Sequence, residues 1–148
     1  MYKNILVAID DSETSVSALK EALHIARTSQ ARLYIAHVVD EILLNMHGHA
    51  MLNMGHAATA THNLVEAGKK LLATAMQAAD GIDAEPLLIE ARNRRISETI
   101  AEQAKTLGVD LIIIGRHGQR GLATLILGSV AEQLARISEA SVLLVRKH

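Results

Sequence analysis

Between residues 115 and 129 the chain reads GRHGQRGLATLILGS. Two residues separate Gly115 from Gly118, nine separate Gly118 from Gly128, and Ser129 follows at once. Glycine lets a backbone take positive φ or come close to a ligand. A Gly-Ser pair opening a helix-like run offers backbone N–H groups and a hydroxyl at the helix start, a natural seat for phosphate. Arg116, His117 and Arg120 add donors beside it. The chemistry this pattern suits is the holding of an anion. The same glycines also serve plain turns, so the choice rests on where the fold puts them.

A second group of residues has metal-binding character. The run MHGHAMLNMGH from Met46 to His56, with His62 beyond, holds imidazoles and thioethers. Such ligands suit copper, and histidine-rich tracts take zinc or nickel. The other reading of 46–62 is a loop whose Met and Leu side chains pack on the protein or a partner.

The elements that must position these residues follow from hydrophobic periodicity. Apolar runs predict strands at 3–9, 32–39, 84–90 and 110–114, and at the closing segment Ser141–Val145. Helical spacing of Val16, Leu19, Leu23 and Ala26 predicts a helix with Ser12 as its N-cap. Further helices are expected over 57–80, closed by the Asp80-Gly81 turn, over Ile96–Leu107, ended by Gly108, and through Val130, Leu134 and Ile137. Strict alternation of strand and helix, with strands apolar on both faces, implies one parallel sheet covered on each side. Pro86 assigns its strand to an edge. No repeat or linker interrupts the pattern, so one domain over residues 1–148 is expected. In doubly wound sheets, ligands lie beyond the carboxyl ends of the strands where chain order reverses. Ala8-Ile9-Asp10, His37-Val38-Val39-Asp40 and Gly115–Gly118 all leave such ends.

Composition excludes several classes. Lys and Arg number 15 against 16 Asp and Glu, for a net charge of −1, which speaks against a basic face for nucleic acid or anionic membrane. Two Tyr and no Phe or Trp leave little for base stacking. With no cysteine, disulfides and thiolate metal sites are ruled out. No segment has the length of a membrane span, and MYKNILVAID reads as strand rather than signal peptide, so a cytoplasmic protein is expected.

Gly-2x-Gly-9x-Gly-Ser over Gly115, Gly118, Gly128 and Ser129 resembles the signature of the universal stress protein family, in its ATP-binding branch. The similarity continues through KNILVAIDDSE, AHVVDE, VDLIIIGRHG, GLATLILGSVAEQL and SVLLVRK. The resemblance implies a Rossmann-like, five-stranded parallel sheet of order 3-2-1-4-5. It implies adenine and ribose against Ala8, Ile9 and Asp10, with the Val38 backbone holding the base. Phosphates would lie on Gly115, Arg116, His117 and Gly118, and on Gly128, Ser129 and Val130, with Ile114 also lining the nucleotide. Asp10 would orient the ribose or a Mg²⁺ ion, or else cap the first helix beside Ser12. Departures are Arg116 where Ser or Thr is common, Ala8 where some members have Pro, and the missing Cys-Pro pair before the last strand.

No Gly-x-x-x-x-Gly-Lys-Ser/Thr loop or Gly-x-Gly-x-x-Gly fingerprint occurs, which disfavours a fast ATPase, a kinase and a dinucleotide oxidoreductase. Apart from Asp10 and His117 the crevice offers no evident base. The expectation is a nucleotide-dependent regulator with slow or no hydrolysis, binding ATP, AMP or cyclic AMP, that reports its bound state to a protein partner. A slow ATP hydrolase and a metal-responsive module are the alternatives. The apolar closing strand, and the resemblance, imply a homodimer formed through it.

Overall fold

The computed structural model describes residues 1–40, 54–117 and 128–147. In chain order these hold β1 (Asn4–Ala8), α1 (Glu13–Ser29), β2 (Arg32–Val39), α2 (Met54–Ala78), β3 (Ala84–Glu90), α3 (Ile96–Thr106), β4 (Leu111–Gly115), α4 (Ser129–Ile137) and β5 (Ser141–Val145). The strands form one sheet in the order β3-β2-β1-β4-β5, every neighbouring pair parallel. This is the expected α/β fold with the expected strand order.

Alternation along the strands feeds two apolar layers. Ile5, Val7, Leu33, Ile35, Leu111 and Ile113 pack with Ala18, Ala22 and Ala26 of α1 and Leu72 and Ala75 of α2. Leu6, Tyr34, Ala36 and Ile112 face the other way, onto Ile100 and Ala104 of α3 and Leu134 of α4. With no Phe or Trp to fill space, alanine rows let the helices lie close, and branched aliphatics from the strands complete the packing. α1 buries Ser15, Ala18, Ala22 and Ala26 along one stripe. Val16 lies off that stripe and is 54% exposed, so its helical spacing did not mark a core position. Ile137, at the end of α4, is likewise exposed.

The ends of the elements carry the expected signals. Ser12 is the N-cap of α1, its Oγ accepting from the Ser15 N–H at 3.3 Å. Gly108 follows the C-cap of α3 at φ 63°, a left-handed turn that glycine makes without a Cβ clash. α2 begins at Met54, ahead of the expected residue 57. Leu33 donates to the Asp83 carbonyl and Ala91 to that of Val39. The two-residue alternation therefore turns the backbone of Pro86 outward, at the sheet edge, where a missing N–H breaks no ladder bond.

Candidate functional site

β1 is the centre of the sheet, with β2 on one side and β4 on the other. Its last pairs are Ala8 with Ala36 and Ala8 with Ile114. The chain runs outward from β1 in both directions, so the carboxyl ends of β1 and β4 flank the reversal of order. Ala8, Val38, Ile114 and Val130 are all half-buried and pack on the α3–α4 layer. They form an apolar floor at this end of the sheet. Ile9 turns the opposite way and is buried in the α1–α2 layer, so it offers the crevice main chain only.

β2 continues past the end of β1. Ile9 donates to the Ala36 carbonyl at 2.8 Å, which fixes the Ala36 main chain toward β1. By alternation the N–H and C=O of Val38 face the same side, at a level where β1 has already turned away. The Ile9 carbonyl, which a longer ladder would give to Val38, lies 2.8 Å from His37 Nδ1.

The turn from β1 into α1 is held by hydroxyls. Asp10 donates its N–H to Ser15 Oγ at 2.9 Å, and one Asp10 carboxylate oxygen accepts the Ser12 N–H at 2.9 Å. One Asp10 oxygen thus braces the turn beside the Ser12 cap. Thr14, buried in the first turn of α1, donates its hydroxyl to the His117 carbonyl. Ser12 Oγ lies 3.3 Å from Thr14 Oγ1. Since a hydroxyl has one proton, Ser12 donates to Thr14 and Thr14 to His117. A relay of single bonds thus joins the α1 cap to the loop after β4.

Gly115 has its reason in the same contact. A Cβ there would lie 2.7 Å from Thr14 Oγ1 and 3.0 Å from the Thr14 carbonyl carbon. The residue is glycine because α1 crosses β4 at that point, and its φ is not in the left-handed region. Thr14 is not among the residues that spacing and type single out. The available signal was three hydroxyls in Ser12-Glu13-Thr14-Ser15, where a cap needs one.

Arg116 donates its N–H to the Val145 carbonyl at 2.8 Å, and its own carbonyl accepts the Gly128 N–H at 2.8 Å. The expectation of a free N–H at Gly128 is thereby corrected: that donor ties the start of α4 to the end of β4. The first-turn N–H groups of Ser129, Val130 and Ala131 follow, and an α-helix has no internal acceptor for them. Gly128 is the N-cap and supplies no side-chain bond, whereas α1 is capped by its own Ser12. Of the helices that follow the two strands at the reversal, α1 carries a side-chain cap and α4, among the described residues, carries none.

Arg116 and His117 are half-buried at the crevice. Gly118 and Arg120 lie outside the described residues, as does the metal reading's run from residue 46 to 53. His56 falls in the first turn of α2, and His62 is exposed on that helix. Among the described residues no three His, Asp or Glu side chains gather as a metal site, and no helix is long and apolar enough to cross a membrane.

Comparison with known proteins agrees with this architecture. The profile of the universal stress protein family matches residues 1–146. Universal stress protein YxiE of Bacillus subtilis is 33% identical over 151 residues, covering 99% of this chain and all of its own length. The structure of MJ0577 from Methanocaldococcus jannaschii superposes with a TM-score of 0.84 at 27% identity, covering 100% of this chain and 98% of that one. Two more distant structures share the fold. A universal stress protein in complex with cAMP has a TM-score of 0.71 at 23% identity, with 99% of each chain covered. One from Archaeoglobus fulgidus in complex with dAMP has a TM-score of 0.66 at 22% identity, covering 97% of this chain and 98% of that one.

Proposed function

The chain belongs to the universal stress protein family, and from that premise we propose that it binds an adenine nucleotide in the crevice between the ends of β1 and β4. ATP is the form the glycine signature favours. One observation carries the reading. The main-chain pair of Val38, the apolar floor of Ala8, Val38, Ile114 and Val130, and the open start of α4 all lie at the end of the sheet where chain order reverses. The first can hydrogen-bond the edge of a base, the second takes its face, and the third suits phosphate. The fold neighbours complexed with cAMP and dAMP support an adenine monophosphate as the shared element.

Mg²⁺ fits only as an ion arriving with the nucleotide. Asp10 directly follows Ile9 at the turn, and one of its oxygens already accepts the Ser12 N–H. Magnesium keeps several waters and takes its other oxygens from phosphates, so one carboxylate oxygen suffices. Asp10 would hold that ion or a ribose hydroxyl, and Mg²⁺ would offset phosphate charge.

The same reading makes the protein a regulator. The donors that Val38 and the first turn of α4 present are main-chain groups, which bind and orient but move no proton. A bound nucleotide would bridge the starts of α1 and α4 and so report its presence to a protein partner.

Assembly as a homodimer is part of the proposal. Ser141 donates to the Asp110 carbonyl and Arg116 to that of Val145, so the backbones of Val142 and Leu144 face outward along the β5 edge. The β3 edge is blunted by Pro86, but β5 has no such device, and a two-fold partner would cover it.

The test is to denature freshly purified protein and identify the released nucleotide, then titrate apo protein with ATP, AMP and cyclic AMP. An adenine nucleotide is expected in the first experiment and saturable binding in the second, with no phosphate release above buffer over one hour. Absence of binding at millimolar concentration overturns the reading. Steady turnover overturns the regulatory form of it in favour of a hydrolase.

A further inference from the structure

We infer that His37 is a positioning residue for the nucleotide base: by holding the last β1 carbonyl, it keeps the Val38 N–H open to ligand. The inference rests on the nucleotide reading above and adds a residue to it. A carbonyl only accepts, so the 2.8 Å contact between His37 Nδ1 and Ile9 O places the proton on Nδ1. His37 belongs to the α1–α2 side of the sheet, as do Leu33 and Ile35 before it, while Val38 faces the floor of the crevice. The imidazole thus reaches Ile9 O from behind the sheet.

The register defines what the imidazole prevents. Ala8 pairs with Ala36, and one further step of that parallel ladder would bond the Val38 N–H to the Ile9 carbonyl. At Ile9 the chain bends toward α1 instead, where Asp10 bonds Ser15, and the His37 ring occupies the carbonyl. Without that donor, the least costly remedy for a buried carbonyl is the neighbouring Val38 N–H, because leaving it unmade is expensive. β1 and β2 would then zip by one more bond and close the donor that the base needs.

α2 is shaped to admit the ring. At Gly68 a Cβ would lie 2.8 Å from His37 Cδ2, 2.9 Å from Leu88 Cδ1 and 3.4 Å from His37 Nε2. Gly68 is buried, and glycine in mid-helix is disfavoured relative to alanine. Its presence is explained by the imidazole and the Leu88 side chain packed against it.

The test uses three variants of the full chain. In His37→Asn the amide nitrogen stands close to where Nδ1 stood and keeps the donor. In His37→Gln the donor lies one bond farther out, and in His37→Leu it is absent. Two readouts are taken: hydrogen exchange of the Val38 amide in apo protein, and affinity for AMP against base-free ribose 5-phosphate. We expect the Val38 amide to exchange readily in wild type and His37→Asn and to become protected in His37→Leu and His37→Gln. AMP affinity should fall about tenfold in the latter two, the worth of one hydrogen bond, with ribose 5-phosphate affinity unchanged. Unaltered Val38 exchange in folded His37→Leu or His37→Gln overturns the inference, as does equal loss of both ligands. If His37→Leu does not fold, the contrast between His37→Asn and His37→Gln decides. If wild type binds no AMP, the nucleotide reading falls, and Val38 exchange alone judges whether His37 holds the ladder open.

Discussion

Replacing Gly115 by alanine isolates the crossing of α1 over β4. The φ of Gly115 lies outside the left-handed region, so alanine meets no backbone penalty there and the effect is steric. The new Cβ would stand 2.7 Å from Thr14 Oγ1 and 3.0 Å from both Thr14 Cβ and its carbonyl carbon. A side-chain tip can swing aside, but a carbonyl carbon moves only with the first turn of α1. That turn is fixed by Ser12, Ser15 and Asp10. Overpacking of this kind costs about 1–3 kcal/mol. For a chain near this size each kcal/mol lowers Tm by about 2–4 °C.

Urea unfolding of G115A measures the cost, and T14A with the double variant closes a cycle. T14A alone should lose about 0.5–1.5 kcal/mol with the hydroxyl bond to the His117 carbonyl. In the double variant Oγ1 is gone, but alanine retains the Cβ and carbonyl carbon at 3.0 Å. The double variant should therefore be more stable than the two losses summed, by about 0.5–1.5 kcal/mol, yet remain below T14A. A G115A protein within about 0.5 kcal/mol of wild type, the range of an ordinary surface change, would refute the crossing as the reason for this glycine. Full recovery in the double variant would confine the clash to the hydroxyl.

Two further outcomes test the site and the assembly. Gly128→Val places a branched side chain at the open start of α4, and ATP affinity should fall at least tenfold, or about 1.4 kcal/mol; a folded variant with wild-type affinity would remove the phosphate seat. Val142→Lys with Leu144→Lys puts charge on the β5 edge and should give monomers or insoluble protein; light scattering that finds wild type monomeric at micromolar concentration, or the double variant a folded dimer, sinks the β5 interface.

What was legible in the sequence was whatever depends on neighbours along the chain. The strand runs, the caps at Ser12 and Gly108 and the edge position of Pro86 are local signals, and all were read from spacing and residue type. The strand order came with the family resemblance. Contacts set by register were not legible. That Thr14 meets Gly115, and that His37 reaches the carbonyl of Ile9, depends on which strands are neighbours and on the level at which β1 stops. Val16 shows the converse, a helical spacing that satisfied the pattern while the helix turned its alanine row inward.

The donors at this crevice explain why so much of it escapes residue-by-residue reading. The groups aimed at the proposed ligand are the main chain of Val38 and the first turn of α4, and any side chain can carry a main chain. The side chains that matter are one step removed. Ser12, Ser15 and Thr14 set where α1 begins, Gly115 and Gly68 make room, and His37 stops the ladder from closing. A site built this way survives wide change in its lining residues so long as the strand ends keep their level. That fits a superposition at a TM-score of 0.84 with only 27% identity. It follows that the cation of Arg116 should matter less to binding than the neutral contacts that fix the backbone on either side of it.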